Sequence, residues 1–389
     1  MPDLSWSTWE QVADLPTREW EVLSGGATIY SSVGWLGIRE EELPDTARAR
    51  YSIARRGSVP AAGLTGYCFE APPHRLYDPV ALLSDFMEDG EAQRYGQSPF
   101  VIGSGWSEFR GEILRGPEPS DADVAPLVRD MSAWADERDA RFLAFLYLPI
   151  DDARAVCDAL GGDAVPVLHD FETVLPIAWS TFDDYLSWLP GSLRGRARRE
   201  LRTFESCGRR LEEARLGDVV DIIAPLNSAL MRKYGHDFDT DKARTVYDRQ
   251  ARHLSDQSSV LIARDGDSPV GFILRYQVGD RIYSRVVGFD YDQPNRADYF
   301  MLSFYGAVRH GIENSIRSVH LGLGTLEAKM GRGGQPAPIY NVYVGLPDEP
   351  GVLKSAHRLS ENRVAEFEEK YAKLAVGGVD TASWAPSRW

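Results

Sequence analysis

Cysteine is scarce in this chain and is not arranged to hold a metal or a disulfide framework. The 389 residues include three cysteines, Cys68, Cys157 and Cys207, which lie far apart and form no C-x-x-C pair. Structural zinc sites and small disulfide-rich folds use closely spaced cysteines, or cysteines near a histidine pair. We therefore expect buried thiols, a reducing cytoplasm, no bound metal and no resident cofactor.

Long apolar runs and common catalytic fingerprints are also missing. No stretch of about twenty apolar residues exists, so we expect no membrane span, and residues 1–6 lack the basic and apolar regions of a secretory signal. No Walker loop, HExxH, GxSxG or Rossmann motif occurs. The net charge of -15 argues against a protein that coats nucleic acid. These absences predict a cytoplasmic protein with neither a membrane nor DNA as partner.

What is present indicates a soluble globular protein with a repeated element. The hydrophobic content is 43% and the charged content 26%, and the length allows two domains with separate cores. The phrase I-A-R-x-G-x-x-P occurs at residues 53–60 and again at 262–269. Each copy ends one strand-like run, turns through Gly and Pro, and enters another run. The recurrence predicts two copies of one domain, with chance as the alternative explanation.

The order of predicted elements divides the chain at about residue 175. We expect an N-terminal domain over 1–175 and a C-terminal domain over 176–389. In the second domain, helices are followed by three antiparallel strands, a helix, a strand and a further strand. Residues 352–374 predict a C-terminal helix, and residues 377–389 a loose tail.

Several segments of the second half resemble the GNAT acyltransferases, and two such units in one chain resemble the FemAB/FemX-like group. The resemblance rests on the start of the second domain (182–186 and the arginine-rich helix to Gly208), on Val287–Asp292 with Tyr299 and Phe300, and on 320–322 with 328–333. It implies an α/β (α+β) fold of two tandem GNAT-like domains, each a mixed, mostly antiparallel sheet flanked by helices. It also implies transfer of an acyl or aminoacyl group to an amine, with the second domain carrying the site.

One loop departs from the pattern of GNAT enzymes that use acetyl-CoA. Those enzymes have a glycine-rich turn whose backbone N–H groups bind the pyrophosphate. The corresponding residues 290–298 contain no glycine and three carboxylates. The departure favours aminoacyl-tRNA as donor substrate over acyl-CoA.

The glycine-rich segment 322–333 contains the residues that we predict to be catalytic. Lys329 resembles the lysine of the family at this place and would stabilise an oxyanion. Glu327 would orient Lys329 or take a proton from the attacking amine, and Arg332 would bind a phosphate or carboxylate. The alternative is an ordinary solvated salt bridge in a loop.

Other residues are predicted to contact the substrates. Arg285 and Tyr283 alternate on one strand and would bind a carboxylate, or they form a surface pair of the sheet. His320 is either a base or a buried histidine of the core. The remaining predicted substrate contacts are Asp290 and Tyr291, which would hold the ammonium of the acceptor or merely cap a helix, and Tyr340.

Seven arginines within seventeen residues form a basic segment in this acidic protein. They predict either a binding site for the phosphates of the donor or a solvated helix face. In the first case the phosphate contacts would be Arg194, Arg198, Arg199 and Arg202. The sequence thus predicts an N-acyltransferase that forms an amide from an activated acyl or aminoacyl donor, with aminoacyl-tRNA favoured, and an amine on a small metabolite or peptide precursor. The alternatives are an acyl-CoA-dependent N-acetyltransferase and a non-catalytic binding module.

Overall fold

The computed structural model describes residues 4–96, 99–107, 110–294, 296–346 and 350–389. The strands are β1 (Leu4–Trp9), β2 (Arg48–Arg56), β3 (Val59–Phe69), β4 (Phe100–Gly103), β5 (Leu114–Arg115), β6 (Leu143–Pro149), β7 (Ala164–Pro176), β8 (Arg210–Ala214), β9 (Ser258–Asp265), β10 (Ser268–Val278), β11 (Arg281–Phe289), β12 (Ser318–Leu323) and β13 (Gln335–Val344). The α-helices are α1 (Thr17–Ser24), α2 (Val33–Glu41), α3 (Pro79–Leu83), α4 (Asp89–Ala92), α5 (Asp121–Glu137), α6 (Ile150–Leu160), α7 (Phe182–Trp188), α8 (Gly191–Glu205), α9 (Leu216–Lys233), α10 (Thr240–Leu254), α11 (Asp298–Phe300), α12 (Gly306–Glu313), α13 (Leu326–Met330) and α14 (Pro350–Lys370).

The chain folds into two compact units, and their sheets have the same strand order and directions. Unit 1 comprises Met1–Phe171, Pro338–Lys370 and Asp380–Trp389, and unit 2 comprises Glu172–Ala337 and Tyr371–Val379. In unit 1 the order is β1-β2-β3-β4-β6-β13, and only β4 and β6 run parallel among these neighbours. In unit 2 the order is β8-β9-β10-β11-β12-β7, with only β11 and β12 parallel. The predicted fold class, two mostly antiparallel mixed sheets with helices, is confirmed.

Each unit takes its last strand from a distant part of the chain. The residues of β7 that pair with β12 are Glu172–Pro176, which precede the rest of unit 2 in sequence. The residues of β13 that pair with β6 begin at Ile339 and come after unit 2. The predicted domains, 1–175 and 176–389, differ from these units because residues 338–370 and 380–389 belong to unit 1.

The C-terminal segments are held in unit 1 by aromatic packing. The ring of Phe171 lies 4.7 Å from that of Phe367 and 5.3 Å from that of Trp384, measured between centroids. Trp384 is 6% exposed and Ala385 is fully buried. The prediction of a loose tail over 377–389 is therefore wrong for its last part, because burial of large aromatic surface fixes it.

The repeated phrase forms a hairpin turn in both units, as the sequence predicts. β2 pairs with β3 through Gly57, and β9 pairs with β10 through Gly266. These glycines have φ of 63° and 58°, a left-handed conformation that glycine adopts without a steric penalty. The phrase therefore reports the scaffold of each unit.

Local sequence explains the helices that cover one face of the unit 2 sheet. Thr181 and Asp184 form a capping box that starts α7. In α8 the buried residues recur at helical spacing, at Leu193, Ala197, Leu201 and Phe204. They join a core with β9, β10, β12 and the helical run that starts at Asp298. On the other face, α9 packs on β10 and β11, and α10 packs against α9. The ring of Tyr247 from α10 also meets that of Phe272 from β10.

The described residues contain neither a helix that could cross a membrane nor a cluster that could hold a metal ion. In the ranges that the structure covers, no helix is long and apolar enough to cross a membrane. Within the same ranges, no group of three or more His, Cys, Asp or Glu side chains is placed to hold a metal ion.

Candidate functional site

Strands β11 and β12 form a fork in the sheet of unit 2. They pair in parallel only over Arg281–Tyr283 and Ser318–His320, whereas β11 stays paired with β10 as far as Phe289. The β10–β11 register shifts between Leu274 and Arg275, so that Arg285 is the extra residue of a bulge. Bulges bend a strand and are common beside active sites. Here the bulge lies where the two strands part.

A cavity of about 660 Å³ opens at this fork. Most of the described lining residues come from the end of α9, from β10, from the second half of β11, from the loop and the first helical turns that follow β11, and from the region that runs from the end of β12 into α13. Much of the lining is apolar, including Val270, Ile273, Val287, Phe300, Phe304 and Leu321. The charged lining residues are four cations and two acids: Arg209, Lys233, Arg285, Lys329, Asp290 and Asp298. A mostly apolar pocket with a few charged groups is the usual form of a small-molecule site.

The helical run Asp298–Glu313 is irregular where it lines the cavity. Residues Met301–Tyr305 form a π-helix between α11 and α12, and such segments often occur at functional sites. Ser303 and Phe304 of this segment line the cavity. The Oγ atom of Ser303 is buried and has no hydrogen-bond partner among the described residues.

Lys329 lines the cavity from α13. It is 5% exposed, and its Nζ donates to the carbonyl oxygens of Gly322 at 2.9 Å and Leu323 at 2.8 Å. Gly322, Gly324 and Thr325 all have positive φ in the loop before α13. That conformation turns two carbonyls toward the ammonium and holds its position. Glu327, by contrast, is exposed, and it is not among the described residues that line the cavity.

Arg332 lies in a buried ion pair and not in the cavity lining. It is 2% exposed, and its Nη2 and Nε donate to the Glu200 carboxylate at 2.5 and 3.2 Å. Its Nη1 donates to the Ala328 carbonyl at 2.7 Å, and its Cζ lies 3.6 Å from the Phe300 ring centroid. The carboxylate that Arg332 binds is therefore one of the protein's own, because Glu200 points inward from α8.

Arg209 and Asp298 form a second internal pair, at the start of the helical run. The Arg209 side chain is 1% exposed and contacts the Asp298 carboxylate through Nη1. Its Nη2 donates to the Pro294 carbonyl at 3.1 Å, and the backbone N–H of Arg296 donates to Asp298 Oδ2 at 3.1 Å. Free N–H groups at a helix start bind anions. In this protein a carboxylate of the chain itself occupies that position.

The predicted strand residues divide between the cavity and the interior. Arg285 lines the cavity. Tyr283 is 3% exposed, and its ring lies 5.5 Å from that of His320. His320 Nε2 is 2.7 Å from the Glu172 carboxylate, whose side chain is 7% exposed. His320 is thus hydrogen-bonded in the interior, and neither it nor Tyr283 is among the described lining residues.

Among the described residues, part of the rim of the cavity is formed by Lys233, Tyr234, Asp290 and Tyr291. Tyr234 is 68% exposed and Tyr291 42% exposed, and Lys233 Nζ lies 4.0 Å from the Tyr291 ring centroid. Burial raises the pKa of Tyr291, and the neighbouring Tyr234 adds to the shift. Asp290 Oδ1 accepts from the Asp292 backbone N–H at 3.0 Å. The predicted residues Asp290 and Tyr291 therefore come together at the opening.

Tyr340 belongs to unit 1 and is fully buried there. Its hydroxyl donates to the Trp384 carbonyl at 2.7 Å. This placement differs from the predicted substrate contact, because the hydroxyl is already bound within the core of unit 1.

The arginines of α8 have two different environments. Arg194 donates to the carbonyls of Ser187 at 2.8 Å and Leu189 at 3.0 Å, and so it caps the end of α7. Arg198, Arg199 and Arg202 are exposed, and their side chains have no partner in the part of the chain that the structure describes. None of the four is among the described residues lining the cavity. The helix thus presents an unpaired cationic face outside it.

Comparisons with known proteins agree with this architecture. Residues 191–330 match the family model of the acetyltransferase (GNAT) domain. The chain also resembles the crystal structure of FemX, with 8% identity, a TM-score of 0.60, and coverage of 87% of this chain and 97% of that chain. The fold of the chain is therefore similar to that of FemX, and its residues 191–330 match the GNAT domain.

A second solved structure supports the same fold. It is a conserved protein of unknown function from Bacteroides thetaiotaomicron, with 8% identity, a TM-score of 0.53, and coverage of 86% of this chain and 97% of that chain. No curated protein sequence matches the chain significantly. The resemblance to FemAB/FemX-like proteins is confirmed for the fold. The described residues that line the cavity run from Arg209 to Lys329 and lie wholly inside the matched GNAT domain.

Sequence reasoning missed several residues of the cavity. Arg209 stood out only as one arginine of a basic segment, and Asp298 only as one carboxylate of a loop. Their pairing joins residues 89 positions apart, so no local pattern shows it. Ser284 and Ser303 carry no sequence signal, because an isolated serine in a strand or helix is ordinary.

Proposed function

We propose that the protein is an N-acyltransferase that forms an amide at the cavity of unit 2. The observation that carries this proposal is the position of the cavity. It lies at the fork between β11 and β12, within the matched GNAT domain, and a buried lysine lines it. The proposed substrates are an activated acyl or aminoacyl donor and an amine on a small metabolite or peptide precursor.

The proposed reaction needs positive charge where the acyl carbonyl becomes an oxyanion. The amine nitrogen attacks the acyl carbon, a C–N bond forms, and the C–O or C–S bond to the leaving group breaks. The nitrogen loses a proton, and the leaving oxygen or sulfur gains one. Lys329 and Arg285 are the cations assigned to the oxyanion, and a preorganised cation of this kind is worth several kcal/mol. The two carbonyls that hold Lys329 keep its ammonium in place.

The helix start supports aminoacyl-tRNA as the donor. A pyrophosphate would have to displace the Asp298 carboxylate, which Arg209 and the Arg296 N–H already hold. The exposed cationic face of α8 supplies the charge that an RNA backbone requires. Arg198, Arg199 and Arg202 are the assigned phosphate contacts, and Arg194 has a structural role beside them.

The acceptor amine is assigned to the rim. Asp290 provides a carboxylate for its ammonium, and Tyr291 offers an aromatic face next to it. Cations bind to aromatic faces with about 0.5–2 kcal/mol, and Lys233 already occupies such a position over Tyr291. Release of the proton from that ammonium would precede attack. The proposed compartment is the cytoplasm, where charged tRNA and metabolites are found.

Acyl-CoA is the second candidate donor. The matched family is described as an acetyltransferase domain, and the cations Lys233 and Arg285 line the cavity. In that case the phosphates of the donor would bind at the rim and not at the start of the helix. A non-catalytic binding module is the third possibility, and it predicts that no donor reacts.

A screen of purified protein tests the proposal. Acyl-CoAs and aminoacyl-tRNAs are incubated with a pool of amines, and amide products are detected by mass spectrometry. Transfer from aminoacyl-tRNA supports the favoured donor, whereas transfer from acyl-CoA makes acyl-CoA the favoured donor instead. The absence of an amide product with every donor contradicts the proposal.

The role of Lys329 is then tested by Lys329→Met. We expect the transfer rate to fall at least about 100-fold, which corresponds to the loss of about 3 kcal/mol of stabilisation. Lys354→Met, at an exposed position of unit 1, is the control and keeps the wild-type rate. A Lys329→Met rate within about twofold of wild type contradicts the assigned role.

A further inference from the structure

Among the described residues that line the cavity, three have a buried side-chain oxygen without a hydrogen-bond partner: Ser284 Oγ, Asp298 Oδ1 and Ser303 Oγ. Arg209 Nε also lacks a hydrogen-bond partner, but it lies 3.6 Å from the Asp265 carboxylate. All three residues line the cavity, and Asp298 and Ser303 are only 4% and 6% exposed. A buried polar group without a partner costs about 1–3 kcal/mol. Such groups at a cavity indicate a ligand that supplies the missing hydrogen bonds.

The charges around Asp298 indicate whether that ligand is a cation or an anion. Its other oxygen, Oδ2, already contacts Arg209 Nη1 and the Arg296 N–H. Arg209 Nε also lies 3.6 Å from the Asp265 carboxylate. One guanidinium is therefore shared by two carboxylates, and this group of three carries a formal charge of -1. At Asp298 Oδ1 this local charge favours an incoming ammonium over a phosphate, although Lys233, Arg285 and Lys329 also line the cavity.

The hydrogen-bonding capacity of the three oxygens further limits which chemical groups can bind there. A carboxylate oxygen only accepts, and a serine hydroxyl can accept. A primary ammonium carries three N–H donors and no acceptor. We propose that Ser284, Asp298 and Ser303 form a subsite for a primary ammonium group of a substrate. This inference rests on the proposed function, in which the donor and the acceptor can each bring such a group.

The two sources differ in what the subsite does. If the ammonium is the α-ammonium of an aminoacyl donor, the subsite selects aminoacyl groups over simple acyl groups. If it is the ammonium of the acceptor, this subsite takes the place assigned above to Asp290 at the rim, and it positions the nucleophile before it loses a proton. In both cases Ser303 contributes a hydrogen bond from the π-helical segment.

Binding of small probes tests the subsite without any turnover. Alaninamide has a primary ammonium, and propionamide is the same amide with hydrogen in place of that ammonium. We expect alaninamide to bind at least about tenfold more tightly by calorimetry, and Ser303→Ala to lose most of that difference, as expected for one hydrogen bond to a charged group. Ser187→Ala, on the exposed side of α7, is the matched control and keeps the difference. Equal affinity for both probes, no saturable binding of alaninamide, or an unchanged Ser303→Ala protein overturns the proposal.

Kinetics then identify the source of the ammonium. With the substrates found in the screen, a higher KM for the donor in Ser303→Ala assigns the subsite to the donor, and a higher KM for the acceptor assigns it to the acceptor. Unchanged KM values for both contradict the subsite. If no donor reacts but alaninamide is still selected over propionamide, the proposed function fails and the subsite stands.

Discussion

Replacing Arg332 with methionine removes the cation from a buried ion pair and leaves the Glu200 carboxylate uncompensated. Methionine fills much of the space of the arginine stem, so the change tests charge more than packing. The loss of one partner of a buried pair costs about 3–5 kcal/mol. Glu200 keeps its hydrogen bond from the Tyr305 hydroxyl at 2.5 Å, and its side chain is 13% exposed. We therefore expect the lower end of the range, about 3 kcal/mol.

A double-mutant cycle measures this pair directly. Glu200→Gln removes the stranded charge, so the variant with both changes is expected to lose at least about 1 kcal/mol less than the sum of the single variants. The free energy of unfolding is measured in urea. Amide hydrogen exchange in peptides from α8 and α13 serves as the probe, because it reports on unit 2 itself. The expected result is that the two side chains are energetically coupled and that loss of Arg332 destabilises unit 2.

Two results would refute the reasoning. One is a loss below about 1 kcal/mol in Arg332→Met, which is the range of exposed ion pairs. The other is an additive cycle, which would show that the two side chains do not interact. If Arg332→Met instead weakened donor binding with stability unchanged, Arg332 would be a ligand contact, as the sequence predicts.

Three further predictions concern charge in other places. Asp298→Asn leaves Arg209 with a weaker counter-charge, so inorganic pyrophosphate should raise the melting temperature of this variant and not that of the wild type. Burial lowers the pKa of His169 to about 4, so folding stability should fall as pH drops below about 6.5, by about 2 kcal/mol at pH 5, and His169→Gln should flatten this dependence in urea unfolding. Arg198→Gln with Arg202→Gln should weaken binding of a charged tRNA and reduce the slope of log K against log salt by about 2, as measured by titration at several salt concentrations.

Each of these predictions has a control at an exposed position. Asp292→Asn should gain no response to pyrophosphate, His236→Gln should keep the wild-type pH dependence, and Arg18→Gln should keep the salt slope. The sign of the histidine effect follows from linkage. Because the folded state resists protonation, stability is complete above the pKa of the unfolded chain and is lost as pH falls toward the folded pKa. A stability that stays flat between pH 7.5 and 5 in the wild type contradicts the burial of His169.

The sequence was most informative where neighbouring residues determine the structure. The glycine turns of the two hairpins were predicted from the repeated phrase and are found there. The apolar spacing in α8 and the capping box of α7 are likewise local features of the sequence. The match of residues 191–330 to the GNAT family also depends on the sequence alone. Lys329 was identified through the resemblance, and it does line the cavity.

The predictions failed or remained incomplete where distant residues meet. Arg332 and Glu200 are 132 positions apart, and nothing near either residue shows that the pair is buried. His320 meets Glu172 across 148 positions, so the sequence around the histidine does not show its partner. Solvent exposure of a charged side chain depends on what packs over it, and packing is a property of the whole unit.

The sequence alone therefore determined the elements, the twofold repeat of the hairpin and the kind of fold, since these follow from propensity and spacing. The tertiary structure decided the rest. Only in the tertiary structure do β7 and β13 become the last strands of units 2 and 1, and only there do β11 and β12 separate at the bulge of β11. The pairing of Arg209 and Arg332 with carboxylates of the chain also depends on it. The arginines of α8 look alike in sequence, but only those without a carbonyl or carboxylate in reach remain available to a ligand. Pairing of distant side chains follows from burial, since a buried charge must find a partner while an exposed one need not.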